Sequence, residues 1–510
     1  MLITAARRLS GDSLARNSLL IMATTVSNGG LGYFYWLLAA RSVPPNHIGT
    51  ATALISAATA VSMIANLGAG HMFIQRLPGS DAATWSRIVG AGLFLGSAAT
   101  AATATAAALI IPLFSGNFGF LTGAGGTSSL VAAAIAVTLT TLLDNLYVAH
   151  RAGHGMLIRN LAVSLGKIVT LLVLLATGVG GAAAVLVSYI IPTLLISLLT
   201  ISIGTRGLRP RTGSDPTDSA GSGPADSAGS DPANSSGSSI GRCRIAALAA
   251  SGPVVRGRAG PGRQSVVAGL RTELPHLRAA ITGHHLINLT QAGPAALLPV
   301  LVTARLGSDA NAHFYVAWMT ASMLFMVSPA VASALYAERT NAVPVPVSRA
   351  ATVVLSMVGV PAAVLLFAGD RILALFSAGY AAEGGLLLQI LVLAALPDAV
   401  ANLAVAHWRS ANEFRLCRRL NLVRALTCLS LAWLLLPGSG VTGAGVAWLT
   451  GQAASAVLVA AVALTRRRPR SPAVAQTSNG DAMTGVSDGS RTPEGEGAVG
   501  VPQKSGEGYR

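Results

Sequence analysis

The sequence predicts an all-α membrane protein whose helices cross the bilayer about twelve times, in two groups of six. Hydrophobic residues make up 52% of the 510 residues and charged residues only 11%, whereas soluble domains carry about a quarter. Apolar stretches of about 20 residues recur, which is the length of a helical span. Only helices and closed barrels satisfy the backbone in lipid, and these stretches lack the alternation of barrel strands.

The first six spans are predicted to form an N-terminal lobe over residues 1–204. Pro44 and Pro45 and a glycine-rich run at 119–126 separate some of them, as turn-forming residues do. The spans lie at about 17–40, 50–70, 88–113, 128–149, 157–178 and 182–204.

Residues 205–276 have a different composition. Three related octapeptides, GSDPTDSA, GSGPADSA and GSDPANSS, follow one another at 213–236. Such a composition cannot bury a core, so we expect a disordered cytoplasmic linker between two lobes.

The last six spans are predicted to form a C-terminal lobe over residues 277–465. Pro437 and Gly438 separate the final two. Residues 466–510 have a composition like that of the linker, and we expect a disordered cytoplasmic tail. The spans lie at about 277–303, 311–336, 350–369, 384–406, 419–436 and 441–465.

The net charge of +16 reflects membrane orientation rather than nucleic-acid binding, because basic residues sit in short loops beside the spans. With a cytoplasmic N-terminus, the external loops hold only Arg41, Arg305 and Arg371 among the basic residues. The positive-inside rule then predicts a multi-pass plasma-membrane protein with both termini in the cytoplasm. Anionic lipids are expected to contact its basic loops.

The two lobes share short sequence matches at a slowly drifting spacing. Arg41 corresponds to Arg305 at a spacing of 264, and Lys167 corresponds to Arg424 at a spacing of 257. Each lobe would begin inside and contain an even number of spans. The lobes are therefore expected to be parallel repeats with a substrate site between them.

Several motifs carry a resemblance to a known family. Arg16-Asn17-Ser18 opens the first span, Gly49 opens the second, and Asn66-Leu67-Gly68 and the IQRLP run at 74–78 follow. This pattern resembles the polysaccharide-biosynthesis branch of the multidrug/oligosaccharidyl-lipid/polysaccharide exporter superfamily. The resemblance implies two six-helix lobes around a central cavity, alternating access and export of a lipid-linked oligosaccharide. A polyprenyl-linked sugar would be the substrate, and glycosyltransferases or a polymerase of the same pathway would be partners.

Common enzyme signatures give no support for catalysis. The sequence contains no GK[ST] phosphate loop, no HExxH and no CxxC pair. We therefore expect no catalytic residues, no metal site and no cofactor.

Cations in or near the spans are candidates for substrate binding, because charge in lipid is costly and tends to face a cavity. Lys167 and Arg424 could hold an anionic head group, one from each lobe. The alternative is that both extend to the lipid head groups. Arg41 and Arg305 could receive phosphate at the external side, or they could only anchor helix ends.

Two acids and one polar stripe complete the candidate site. Asp144 and Asp398 could carry a coupling proton or balance the charge of Lys167 or Arg424. His284, Asn288 and Gln291 share one face of the seventh span and could line the cavity. Hydrogen bonding between helices is the alternative role of that stripe.

Two other functions stay open at this point. A cation-coupled multidrug exporter of the same superfamily would favour acids and aromatics, but aromatic residues make up only 5% of the chain. A membrane scaffold that recruits synthesis enzymes through the linker and tail would not transport at all. Deletion of the linker would distinguish the scaffold from a transporter.

Overall fold

The computed structural model describes residues 13–66, 68–210, 286–329, 347–411 and 413–467. The octapeptides, the tail beyond residue 467 and His284 lie outside these ranges. The chain divides into two units, Met1–Val462 and Ala463–Arg510. All the contacts described below lie within the first unit. We call residues 13–210 the N-terminal half and residues 286–462 the C-terminal half.

The N-terminal half is built from seven α-helices and two short 3-10 helices. Helix starts follow the local sequence: Pro45 occupies the first turn of α2, and Asp81 caps α4 by accepting from the amides of Ala83 and Thr84. The predicted span at 50–70 ends earlier, at Ala65. The helices are α1 (Ser13–Ser42), α2 (Pro45–Ala65), α3 (Ala69–Arg76), α4 (Ala82–Phe114), α5 (Ala124–Ala149), α6 (Gly153–Ala176) and α7 (Gly181–Ser202), with 3-10 turns at Gly116–Leu121 and Gly204–Gly207.

The C-terminal half contributes five further helices. Pro294 and Pro299 lie inside α8, and Pro361 and Pro397 lie inside α10 and α11. Prolines inside helices remove a backbone hydrogen bond and promote bending. The helices are α8 (Leu286–Leu306), α9 (Ser308–Phe325), α10 (Val347–Ala374), α11 (Ala378–Ser410) and α12 (Phe414–Arg467).

The last helix, α12, reverses direction at Gly440. This residue has φ 58° and ψ −148°, a conformation that only glycine adopts readily. A Cβ atom on Gly443 would lie 2.9 Å from the backbone of Leu435, and one on Gly451 would lie 3.1 Å from the carbonyl oxygen of Arg424. Residues that far apart in sequence meet only if the chain turns back. The turn predicted at Pro437-Gly438 is thus two residues early, and α12 contains the last two predicted spans.

Nine helices within the described ranges are long and apolar enough to cross a membrane. They confirm the predicted all-α, multi-pass class, although α1 and α9, which are long enough, are less apolar than this limit requires over their described residues. In the most apolar 18-residue segment of each helix, 78% of α2 is buried inside the protein, whereas only 22% of α4 and 22% of α10 are buried. α2 is therefore a central helix. α4 and α10 are peripheral and present large apolar side chains such as Phe114 and Phe367 outward, as lipid-facing helices do.

The largest apolar cluster joins the two halves. It combines residues of α1 and α2, such as Trp36 and Ile48, with residues of α9, such as Phe314 and Trp318. The ring of Trp36 meets that of Tyr315 edge to face at 5.0 Å between centroids, a favourable geometry for aromatic pairs. This shared core positions the polar residues of both halves.

Candidate functional site

Asp144 and Arg159 form a buried ion pair between α5 and α6. Arg159 Nη2 donates to Asp144 Oδ1 at 2.7 Å, and Asn160 Nδ2 donates to the same oxygen at 2.9 Å. The side chain of Arg159 is 2% exposed and that of Asp144 is 28% exposed. The short turn between α5 and α6 brings the two residues together. Asp144 therefore balances a cation on the next helix, as one of its two predicted roles requires, but that cation is Arg159 and not Lys167.

Asp398 on α11 has a different environment, made of neutral donors. Its Oδ2 atom accepts from Ser328 Oγ at 2.7 Å and from Asn402 Nδ2 at 2.9 Å. The residue is 5% exposed. Arg424 contributes only a through-space charge interaction. Among the described residues, Asp398 has no ion-pair partner within salt-bridge distance, unlike Asp144.

Arg424 and Arg409 both contact Gln291 on α8. Arg424 Nη2 donates to the backbone carbonyl oxygen of Gln291 at 2.8 Å. Arg409 Nη2 donates to the side-chain Oε1 of Gln291 at 3.3 Å. Gln291 lies three residues before Pro294, where α8 lacks one backbone donor. Two guanidinium groups thus converge on one helix, and within the described ranges neither forms an ion pair.

Arg424 also has unused hydrogen-bonding capacity. It is 4% exposed, and its Nε atom is buried without a hydrogen-bond partner among the described residues. Arg424 Nη2 reaches Asn421 Oδ1 at 3.4 Å, and Asn421 Nδ2 is likewise buried without a described partner. Buried donors without acceptors are rare in native proteins. This region therefore has an excess of positive charge and of N–H groups.

Lys167 contacts a neutral aromatic ring, whereas Arg424 contacts a backbone carbonyl. Its Nζ atom lies 3.6 Å from the ring centroid of Tyr189 on α7, a cation–π contact. The side chain is half-buried. Lys167 and Arg424, which correspond in the two predicted repeats, thus have contacts of different kinds.

Arg41 and Arg305 also differ in their partners. Arg41 Nε donates to the carbonyl oxygen of Leu375, beyond the end of α10, at 2.6 Å. Arg305 stacks on Trp433 of α12, with Cζ 4.4 Å from the ring centroid. Arg41 therefore links the two halves, whereas Arg305 stays within its own half.

The predicted polar stripe is described only in part. His284 lies outside the described residues, and the side chain of Asn288 is not described. Gln291 is half-buried and accepts one hydrogen bond from each of the two arginines. Of the three stripe residues, Gln291 has a described side chain, and it forms a polar cluster with Arg409 and Arg424.

Sequence reasoning missed the roles of Arg159 and Arg409. Both lie near predicted loops, so each resembled an ordinary loop cation. Their partners lie on neighbouring helices, at positions that depend on helix rotation. A buried acid needs a partner, and this rule applied to Asp144 could have identified Arg159 across the short turn.

Comparison with known structures shows similarity to membrane transporters. The lipid II flippase MurJ, in an inward closed conformation, matches with a TM-score of 0.60 and 12% identity, covering 88% of this chain and 87% of that one. An inward-facing multidrug resistance MATE family transporter of the MOP superfamily matches at 0.54 and 14%, covering 88% and 98%. An outward-facing conformation of a multidrug resistance MATE family transporter of the MOP superfamily matches with a TM-score of 0.52 and 14% identity, covering 90% of this chain and 96% of that one.

Neither the protein-family models nor the curated proteins include a match. At 12–14% identity the structural likeness concerns the fold. Folds of this kind host different substrates. The chain therefore has the helical fold that these membrane transporters share.

Proposed function

We propose that this protein is a flippase that moves a lipid-linked oligosaccharide, or a related polysaccharide precursor, across the plasma membrane by alternating access. The observation that carries the proposal is the convergence of Arg409 and Arg424 on Gln291. Among the described residues neither guanidinium group forms a salt bridge, and the two outnumber the one acid, Asp398, that interacts with Arg424. Such a site favours an anionic ligand such as a diphosphate. The fold, shared with a lipid II flippase, supports the same class of activity.

Lys167 would contribute a further cation from the N-terminal half. Its ammonium group interacts with the face of Tyr189 and not with a carboxylate, so its charge is not neutralised there. Arg41 and Arg305 would meet the head group at the external side. Asn288 and His284 remain candidates for the same substrate-binding role, on the sequence pattern alone.

The two acids would have separate roles in this scheme. Asp144 balances Arg159 directly at 2.7 Å. Among the described residues, Asp398 has only neutral donors within hydrogen-bond distance, so it can gain or lose a proton without breaking a described ion pair. We assign the coupling role to Asp398 and the charge-balancing role to Asp144.

The remaining expectations belong to the same proposal. The termini and the 205–276 linker would be cytoplasmic, because the basic residues favour that side. Anionic lipids would contact the basic loops. Glycosyltransferases or a polymerase would supply and consume the substrate, and the protein itself would catalyse no covalent step.

Cation-coupled export of drugs is the second candidate, and similarity to a multidrug resistance MATE family transporter favours it. The charge around Gln291 opposes it, because two guanidinium groups that form no salt bridge with a described residue repel a cationic drug. Efflux of a cationic dye from cells that produce the protein distinguishes the two. We expect no efflux above that of cells lacking it.

Reconstituted vesicles provide the direct test. A fluorescent polyprenyl-diphosphate disaccharide is added, and the fraction moved between leaflets is followed with time. Arg409→Gln and Arg424→Gln each remove a charge-assisted hydrogen bond of about 1.5–3 kcal/mol, so we expect a roughly tenfold or greater loss of apparent affinity in each.

Arg87→Gln is the matched control, because Arg87 donates to Thr84 at the exposed start of α4 and has no part in the proposed site. Its effect should be smaller than that of either variant at the Gln291 cluster. A double variant at Arg409 and Arg424 that transports at the normal rate, with normal protein amount, would refute the proposal.

A further inference from the structure

The two halves come into close backbone contact where α2 meets α9. A Cβ atom on Gly49 would overlap the carbonyl oxygen of Ser308 and would lie 3.1 Å from the amide nitrogen of Ala312. Any residue larger than glycine at position 49 would force the helices apart. Gly49 therefore permits direct backbone contact between the first turn of α2 and the first turn of α9.

Asn311 hydrogen-bonds across this contact. Its Nδ2 atom donates to the carbonyl oxygen of Gly49 at 3.0 Å and to Thr52 Oγ1 at 2.9 Å. Thr52 Oγ1 itself donates to Gly49 O at 3.0 Å, so the hydroxyl proton is already used. Thr52 must therefore accept from Asn311, and the orientation of the Asn311 amide follows from the network. Asn311 and Thr52 are both fully buried.

Further hydrogen bonds join the halves nearby. Ser115 Oγ and Asn117 Nδ2 both donate to the carbonyl oxygen of Ala304, at 2.8 Å and 3.2 Å. Arg41 Nε donates to Leu375 O. These residues follow α4, α8, α1 and α10 or lie in their last turns, whereas Gly49 and Asn311 lie in the first turns of α2 and α9.

Helix order explains why these links share one end of the molecule. The C-terminal end of α1 and the N-terminal end of α2 are joined by Val43 and Pro44, and α8 and α9 are joined by Gly307 alone. The contacts between α2 and α9 and those between the ends of α4 and α8 therefore lie at the same end of the helices. We call this end of the helices the latch end.

The Asn311 network is suited to reversible opening. Asn311 Oδ1 is buried without a hydrogen-bond partner among the described residues, and an unsatisfied buried acceptor carries a desolvation cost. Separation of the halves would hydrate this oxygen while Nδ2 exchanged protein acceptors for water. The closed contact is thus held by two donated bonds and opposed by one unsatisfied acceptor.

We propose that Asn311 is a gate residue that holds the two halves together at the latch end, and that transport requires its bonds to Gly49 and Thr52 to break and reform. Asn311 acts as a positioning residue that sets the ratio of closed to open molecules, and it has no contact with substrate in this role. The inference does not depend on which substrate is carried.

Thiol labelling of the full-length protein in membranes tests it without substrate. Cys243, Cys417 and Cys428 are first replaced by alanine, and a reporter cysteine is introduced at Ala51, a fully buried position in the core shared by the halves. A membrane-impermeant maleimide is applied from each face in turn. Asn311→Asp keeps the shape but removes both donors, so the labelling rate from the latch face should rise roughly tenfold, which corresponds to about 1.4 kcal/mol.

Two further variants make the result decisive. Thr52→Val removes one acceptor and should raise labelling by a smaller factor. Asn145→Asp is the matched control, because among the described residues the Asn145 amide donates to Thr141 O of its own helix and not to the other half, and it should leave labelling unchanged. A second reporter at Ala134, fully buried within the N-terminal half, should stay unlabelled unless a variant unfolds.

The proposal fails if Asn311→Asp and Thr52→Val both leave Ala51→Cys as unreactive as in the parent protein. If Asn311→Asp also makes the cysteine at position 134 reactive, that variant has unfolded. The labelling of Ala51→Cys in the Thr52→Val variant then decides whether the proposal stands. Failure here would leave the flippase proposal untouched, since the vesicle assay measures substrate movement and this one measures access to a buried thiol.

Discussion

Arg159 donates to Asp144 at 2.7 Å between α5 and α6, and the guanidinium is almost fully buried. Removing one partner of such a pair leaves an uncompensated charge in a low-dielectric region, which costs about 3–5 kcal/mol. We therefore expect Asp144→Asn to lower the thermal unfolding midpoint of the detergent-solubilised protein markedly. Removing both charges, as in Asp144→Asn with Arg159→Gln, should restore most of the loss. A double variant no more stable than the single one would contradict this interpretation.

Asp398→Asn is expected to uncouple transport from a proton gradient. The substitution preserves size and leaves Ser328 and Asn402 beside the side chain, so the protein should fold. Exchange of substrate between leaflets without a gradient should continue, but a gradient should no longer drive accumulation. Both rates can be measured in the same vesicles. Normal gradient-driven accumulation in Asp398→Asn would assign the coupling role elsewhere.

Lys167 is expected to act through its charge. Lys167→Arg keeps a cation that can stack on Tyr189, whereas Lys167→Gln does not. Flipping of an anionic substrate should fall several-fold in Lys167→Gln and remain partial in Lys167→Arg, at equal amounts of inserted protein. Tyr189→Phe retains the ring and serves as the control. Equal rates in all three variants would indicate that Lys167 only extends toward the head groups.

His150 should make stability depend on pH. Trp85 Nε1 donates to His150 Nε2 at 2.8 Å, which requires an unprotonated Nε2, and burial lowers the pKa of His150 below its ordinary value. The unfolded chain binds the proton more readily, so this contribution is complete above an ordinary histidine pKa of about 6.5 and is lost as pH falls toward the folded pKa. Unfolding midpoints at pH 7.5 and 5.5 should differ more in the parent than in His150→Gln. The same pH dependence in both would exclude His150 as its source.

Hydropathy predicted the helices well because crossing a bilayer constrains each segment by itself. The spans at 88–113 and 384–406 lie within α4 and α11, and the last two lie within α12. Turn chemistry was less informative: Pro437 and Gly438 indicated a break, but the chain reverses at Gly440, where φ is positive.

The contacts of the candidate site were harder to predict because they depend on how each helix is rotated against its neighbours. Asp144 was recognised as a buried acid, but its partner Arg159 resembled a loop residue. Asn311 gave no signal as a single polar residue near a helix start. Its role follows only from the position of Gly49 on another helix, 262 residues away.

The buried face of α2 consists largely of small side chains, including Ala51, Ala53, Ala57 and Ala58. Helices with large interdigitating side chains lock into one register, because ridges of one fill grooves of the other. A shallow alanine surface offers little of that interlocking, so α9 can part from α2 at Ala51, in the core shared by the halves, without withdrawing large side chains from deep grooves. A bulky residue at Ala51 would fill the closed contact between the halves. It should favour the open arrangement even where it leaves folding intact.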